Sequence, residues 1–410
     1  MSLKRLALTA LFLGLTTPAY AVDDVLVGVI YPLSGNGAQV GLDAKVAYET
    51  MAEIINGTHD KIPMLMGEGG GLKGLGGAKI KLVFADSQGD PQKARAEAER
   101  IITQDHVAAI IGSYTSATAA TISQVADRYE VPYLSADNTS PSLSQRGLKW
   151  YFRSTPHDVM FSEAMFAFMK DMGAKTGRPV KSVALFYEDS LFGTDSSNVQ
   201  RKLAQAAGMT VAADIKYRAN SPSLSSEAQR LKAADADVIL PSSYTSDALS
   251  IVRSMNEIAY KPKAVIAQAA GFQESDFMKG AGPLAEGILS RSSFAGDAVK
   301  SRPAIVPVNA LFKAKTGKNL NDNTSRQITA LQVMADAINR SGTGKSADIR
   351  TALQATDIPG DQLIMPWKGV KFDETGQNTL GTPVIQQVKD GGWVTVWPAD
   401  VATTEVVWTK

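Results

Sequence analysis

Short, uncharged apolar runs alternate with longer stretches in which apolar residues recur every three or four positions. Val25 to Tyr31 is strand-like, and in 41–55 Ala44, Ala47, Met51, Ile54 and Ile55 fall on one helical face. Ile80, Leu82 and Phe84 alternate as a strand; Asp90-Pro91 then places an N-cap residue before a first-turn proline and opens a helix to about Gln104. A buried-type strand at 107–112, a helix at 116–129 and a strand at 131–134 complete one β-α-β-α-β-α-β run. The pattern then restarts. Strands are predicted at 180–187, 211–217, 238–240 and 264–267, with helices at 193–207, 223–234 and 244–258 between them. Helices near 306–315, 322–340 and 347–355 and late strands near 368–372, 383–389 and 394–396 close the chain. Strands alternating with helices of this length imply parallel sheets covered on both faces, and two such runs imply two doubly wound α/β lobes. Between them, Trp150 to Pro156 is too apolar for a flexible linker and suits a packed crossover.

Composition narrows the classes. The 410 residues carry 42 Lys+Arg against 41 Asp+Glu, three His and no Cys. At about 150 residues per domain the length suits two or three domains. Without cysteine there are no disulfides, thiol nucleophiles, cysteine metal sites or lipidated cysteine. The balanced charge and the lack of a basic tract argue against nucleic acid as a partner. Residues 1–21 stand apart: Lys4 and Arg5 precede an apolar stretch, Leu6 to Leu15, too short for a bilayer, and Ala19-Tyr20-Ala21 reads as a cleavage site. A cleaved secretory signal peptide, export to a bacterial periplasm without a lipid anchor, and a soluble monomer are expected. Cleavage would leave 40 basic against 41 acidic side chains.

Several motifs fail on context. Gly69-x-Gly71-x-x-Gly74 matches a dinucleotide fingerprint, but it follows a helix and leads into a strand, the reverse of what the fingerprint needs; an exposed loop insertion is expected. Gly344-Lys345-Ser346 lacks the earlier phosphate-loop glycine, since Asn339 stands there. His59, His106 and His157 are mutually remote, and no serine elbow is present. Nothing nominates a secreted acid/base hydrolase, so no enzyme, metal or cofactor is expected. The informative residues lie after the strands, where open α/β sheets hold ligands. Pro32 to Gly41 follows the first, Gly112 to Thr118 the third, and Ser135 to Pro141 the fourth. Hydroxyls and amides at helix starts can hold a carboxylate, although plain N-capping uses the same residues.

These residues resemble the solute-binding proteins of ABC importers, specifically the leucine/isoleucine/valine-binding (branched-chain amino acid) family. The resemblance rests on Pro32-Leu33-Ser34-Gly35, Phe84-Ala85-Asp86 through Asp90-Pro91, Ile110-Ile111-Gly112 with its Ser/Thr loop, Phe152 to Asp158, and Tyr187 to Gly193. It spans nearly all of the chain after residue 21. It implies the type I periplasmic binding fold, a Venus-flytrap of two lobes joined by three crossovers, with residues 22–155 and 290–383 in one lobe and 156–289 and 384–410 in the other. It implies a ligand in the cleft and, after closure, delivery to a permease in the inner membrane; a sensory module signalling to a receptor is the alternative on the same fold. By resemblance Ser116 and Thr139 would grip a carboxylate, Ala117 and Asp137 would add main-chain contacts, and Phe192 and Tyr244 would form an aromatic lid. Ala270 stands where amino-acid-binding members carry an acid for the ammonium, and Val40 stands where an aromatic is common. A buried ammonium would then lack a partner unless Asp158 or Glu188 supplies it. The expected solute is an aromatic or aliphatic carboxylate, an amide, or an amino-acid-like compound paired with one of those acids. Arg153 is expected at the crossover or cleft floor.

Overall fold

The computed structural model describes residues 23–35 and 37–408, so the expected leader lies outside the described residues. No helix among them is long and apolar enough to cross a membrane. The first run folds as β1 (Val25–Tyr31), α1 (Ala38–Asn56), β2 (Ile80–Asp86), α2 (Pro91–Thr103), β3 (Ala109–Gly112), α3 (Ser116–Arg128), β4 (Tyr133–Ser135) and β5 (Tyr151–Arg153). Its sheet is wholly parallel, in the order β2-β1-β3-β4-β5. Alternate strand residues enter opposite cores: Val27, Val29 and Ile111 pack under α1, while Ile30, Ile110 and Tyr133 pack under α2 and α3. Covering both faces explains the uninterrupted apolar runs. The predicted cap is formed, with Lys93 N donating to Asp90 Oδ1 at 2.8 Å.

The second run comprises α4 (Asp158–Thr176), β6 (Ser182–Glu188), α5 (Leu191–Ala206), β7 (Thr210–Tyr217), α6 (Ser225–Ala234), β8 (Val238–Ser242), α7 (Thr245–Glu257), β9 (Ile266–Ala267), α8 (Ser275–Ala281) and β10 (Leu289–Ser292). The chain then returns to the first lobe through α9 (Ile305–Thr316), α10 (Asp322–Ser341), α11 (Ser346–Gln354) and the antiparallel ribbon of β11 (Asp357–Pro359) and β12 (Gly369–Lys371). It ends on β13 (Val384–Lys389) and β14 (Gly392–Trp397), which pair antiparallel beyond β10 in the second lobe. A bridge between Ile239 and Val265 links β7-β6-β8 to β9-β10-β13-β14. The chain therefore passes between the lobes three times.

Four details differ from the sequence reading. Tyr151–Arg153, read as crossover, is an edge strand, because it adds in parallel to β4 before the chain leaves the lobe. The boundary expected at 289/290 falls inside β10, whose residues pair with β9 and β13 in the second lobe. Leu-Ser-Arg-Ser has one apolar residue and no alternation, so nothing local marks it as strand. The late strands β13 and β14 pair antiparallel rather than parallel, as a hairpin connection requires. The glycine-rich stretch 67–77, expected as an exposed loop insertion, is only partly exposed: Leu72 is buried in the first core with Ile62 and Met64 of the preceding residues, while Lys73, Gly74, Gly76 and Gly77 are exposed.

Candidate functional site

Each sheet has its order reversal between adjacent strands, at β1/β3 in the first lobe and at β6/β8 in the second, and the carboxyl ends there face each other. Loops after β1, β3 and β4 meet loops after β6, β8 and β9, as the switch-point rule for open α/β sheets anticipates. Two glycines allow the close approach in the second lobe. A Cβ on Gly271 would lie 2.2 Å from Thr245 N, and one on Gly193 would lie 2.2 Å from Glu188 O. Side chains there would push the turn after β9 away from Tyr244 and the start of α5 away from β6.

Between the lobes lie two spaces divided by three rings. Tyr114 of the first lobe meets Tyr244 of the second at 5.0 Å between centroids, and Tyr244 meets Phe192 at 5.3 Å. Outside this layer is a chamber of about 610 Å³, lined among others by Val40, Gln88, Ala117, Glu188 and Glu274. Inside it is a chamber of about 10 Å³, room for about one water. Ser116, Asp137, Thr139, Phe192, Tyr244 and Ala270 all line this inner chamber, so six of the eight expected site residues converge on it. Ala117 lines the outer chamber instead.

Asp158 is the correction. It is fully buried at the start of α4, where it accepts from Ser196 Oγ at 2.7 Å and Gln268 Nε2 at 2.9 Å. Both carboxylate oxygens serve the second lobe's interior, and Asp158 lines neither chamber. Arg153 is also a joint rather than a cleft group. It donates to Ser140 O at 2.7 Å and Gln377 Oε1 at 2.6 Å, while Asn378 Nδ2 donates to Ser154 O at 2.8 Å, tying the first crossing to the third.

The hydroxyls show which residues cap and which remain available. Thr115 Oγ1 accepts from Thr118 N at 3.2 Å and so caps α3. The Ser116 and Thr139 hydroxyls have no hydrogen-bond partner among the described residues, although both side chains are buried. Buried polar groups are normally paired, so two unpaired donors on one small chamber point to something that enters it.

Among the charges at the chambers, Asp137 and Glu188 were singled out in the sequence, whereas Glu274, Arg291 and Arg326 were not. Asp322, the first residue of α10, accepts from Arg291 Nη1 at 3.2 Å and Arg326 Nη2 at 2.9 Å, and all three are fully buried. Burial would raise Asp322, but the two guanidiniums hold it below the usual carboxylate range. Burial lowers Arg291 to about 10. Arg326 Nη1 also donates to Asp137 O at 3.0 Å, while Asp137 Oδ2 accepts from Tyr31 and Gln327, each at 2.7 Å. Burial pushes Asp137 up to about 6 against the pull of Arg326. Glu188 and Glu274 line the outer chamber; burial raises them to about 7 and about 8, opposed by Ser190 and Asn323 respectively. Glu188 Oε2 accepts from Tyr244 N at 3.3 Å. Glu274 of the second lobe accepts from the Asn321 and Asn323 amides of the first, and Asp195 of α5 accepts from Ser142 Oγ at 2.7 Å and from Ser140 Oγ. The lobes are thus held by acids of one against amides and hydroxyls of the other.

Comparison with known proteins places this arrangement. The profile of the family described as periplasmic binding protein matches residues 24–392. The chain is 30% identical over 410 residues to Leu/Ile/Val-binding protein homolog 7 of Brucella abortus (strain 2308), covering 98% of both chains. It is also 30% identical over 421 residues to homolog 8 of Brucella suis biovar 1 (strain 1330), covering all of both. Among solved structures it shares its fold with a leucine-binding protein of Thermotoga maritima, at TM-score 0.76 and 21% identity over 91% of this chain and 98% of that one. A branched-chain amino acid transporter substrate-binding protein of Streptococcus pneumoniae, solved with isoleucine, matches at TM-score 0.75 and 20% identity over 92% and 100%. Two α/β lobes, a cleft at both switch points and relatives along its whole length agree: the chain belongs to the Leu/Ile/Val-binding family of periplasmic binding proteins, which are substrate-binding proteins and not enzymes.

Proposed function

We propose that this chain is the substrate-binding component of an ABC importer of the branched-chain amino acid type. It captures a small carboxylate, amide or amino-acid-like solute by lobe closure in the periplasm and delivers it to an inner-membrane permease. The observation that carries this reading is the inner chamber, where the unpaired hydroxyls of Ser116 and Thr139 from one lobe face Phe192, Tyr244 and Ala270 from the other. A solute touching both walls stabilises the closed form over the open one, and only that difference in affinity moves the equilibrium. The first and third crossings, tied together by Arg153, Gln377 and Asn378, belong to the hinge about which such a closure turns.

The test is a thermal-shift screen of the chain from Val22 onward against amino acids, amides and carboxylic acids. A true solute at about 100 times its dissociation constant adds about 2.7 kcal/mol of stability. The reading further expects N-terminal sequencing of the exported protein to begin at Val22, and solute uptake to be lost when the chain is deleted and restored when it is returned. Binding without any effect on uptake would favour signalling to a receptor and overturn the transport role.

A further inference from the structure

Resting on the reading of the cleft as a solute site, we propose that the solute is an amino-acid-like compound whose side chain ends in a cation, an ammonium or a guanidinium. That distal charge sits in the outer chamber against Glu188 and Glu274.

The division of space makes the outer lining decisive. The inner chamber has room for about one water, so the body of any solute reaching it lies in the outer one. The described residues that line the outer chamber include four acids, Asp43, Glu188, Glu274 and Asp276, and no Lys, Arg or His. Asp43 is already paired with Lys318 at 2.7 Å. The other three have no basic partner among the described residues. Glu188 and Glu274 are only 1% and 3% exposed, and what reaches them is neutral: Tyr244 N donates to Glu188, and the Asn321 and Asn323 amides donate to Glu274. Two carboxylate oxygens offer about four lone-pair sites, so each acid keeps capacity for a ligand.

A carboxyl buried without a countercharge is driven toward its neutral form, and burial raises both acids accordingly. Asp247 beside Glu188, and Asp137 and Asp43 around Glu274, add to the upward push. Arg326, which acts on Glu274 in the other sense, is committed to Asp322 at 2.9 Å. Burial keeps the Tyr114, Tyr217 and Tyr244 phenols neutral. A solute cation supplies the charge these acids lack, whereas a branched aliphatic side chain in its place would leave them buried against hydrocarbon.

The rest of the lining suits the stem that carries such a charge. Tyr114, Tyr244 and Phe192 line both chambers, so a chain running from the inner chamber to the outer acids passes along them. Ring faces pack well against methylenes and also attract a cation. No group of three or more His, Asp or Glu placed to hold a metal ion occurs among the described residues, and a space of about 610 Å³ suits an organic cation.

Isothermal titration calorimetry of the full exported chain would compare arginine with citrulline, lysine with norleucine, and both pairs with leucine. Citrulline and norleucine keep the stem of their partners without the distal charge. The expected result is one site per chain for arginine or lysine, about tenfold tighter than for its neutral counterpart and for leucine. A cation draws Glu188 and Glu274 from their protonated toward their ionised forms, so its binding should release protons. The heat at neutral pH should therefore differ between phosphate and Tris buffers for the cation and not for its neutral counterpart, and the cation's affinity should rise from about pH 6 to about pH 8. Glu188→Gln and Glu274→Gln should each weaken the cation about fivefold and remove part of the proton release, with the neutral counterparts unchanged. The wild-type comparison decides the matter even where a variant fails to fold. Citrulline or norleucine binding as tightly as its charged partner overturns the inference and leaves the binding-protein reading standing, as does any solute without a distal cation that binds while arginine and lysine do not. Cation binding without proton release also overturns it, because Glu188 and Glu274 would then not face the charge. Silence from every compound in both this panel and the thermal screen counts against both readings.

Discussion

The two chambers sit a few ångströms apart in one cleft and are built on opposite principles. The inner one holds about 10 Å³ and is walled by buried charges from distant parts of the chain, Asp137 after β4, Arg291 on β10 and Arg326 on α10, with Asp322 behind the two arginines. The outer one holds about 610 Å³ and is walled by loop residues such as Gln88, Ala219 and Asn220, with two acids, Glu188 and Glu274, that burial shifts upward. On the proposed function, an unmatched group placed against the inner wall could not recover its lost water.

Substitutions should separate the two walls. The largest effect belongs to Asp322→Ala, which leaves Arg291 and Arg326 buried without their shared carboxylate. It should cost about 3–5 kcal/mol of folding stability in urea titrations, and a loss below 1 kcal/mol would show the network to be dispensable.

Next comes a pH effect centred on Glu274. Its folded value is raised from 4.5 to about 8, first by burial and against the Asn323 bond. The folded protein therefore keeps a proton that the unfolded chain releases, so the Glu274 contribution is whole below 4.5 and is lost as pH rises through about 8. Glu274→Gln should match the wild type near pH 5 and melt higher near pH 9; parallel melting curves across that range would contradict the assignment. Thr139→Ala should weaken solute binding by about 1–3 kcal/mol in calorimetry without changing the fold, and an unchanged dissociation constant would remove Thr139 from the site. Smaller still, Asp195→Ala removes the acceptor that holds Ser140 and Ser142 across the lobes. It should raise the radius of gyration of the solute-free protein in X-ray scattering and weaken binding by about 1 kcal/mol. Gln88→Ala on the outer wall should change affinity by less than about 0.5 kcal/mol, the usual scale away from such networks.

Much of this was readable beforehand, for reasons visible in particular residues. Val25–Tyr31 and Ala109–Gly112 are apolar throughout because helices cover both faces of their sheet, and Asp90-Pro91 announces α2 through a local cap. The Ser/Thr loops after β3 and β4 were legible because a sheet edge fixes where such loops lie. Asp158 misled because the first residue of a helix can turn toward a cleft or into its own lobe, and here Ser196 and Gln268 draw it inward. Glu274, Arg291 and Arg326 gave no local signal, since each reaches the site only after the chain has crossed between lobes.

Periodicity, capping and loop composition, all short-range properties, suffice to specify two doubly wound lobes and the hydroxyl-rich loops at the sheet edge of the first, while the individual hydroxyls and the rings Phe192 and Tyr244 were singled out by the family resemblance. The distribution of charge between the chambers is not contained in any short segment. It arises when the start of α10 docks beside β4 and β10, because the strength of a buried ion pair depends on partners 31 and 189 residues apart that folding alone brings within hydrogen-bonding distance.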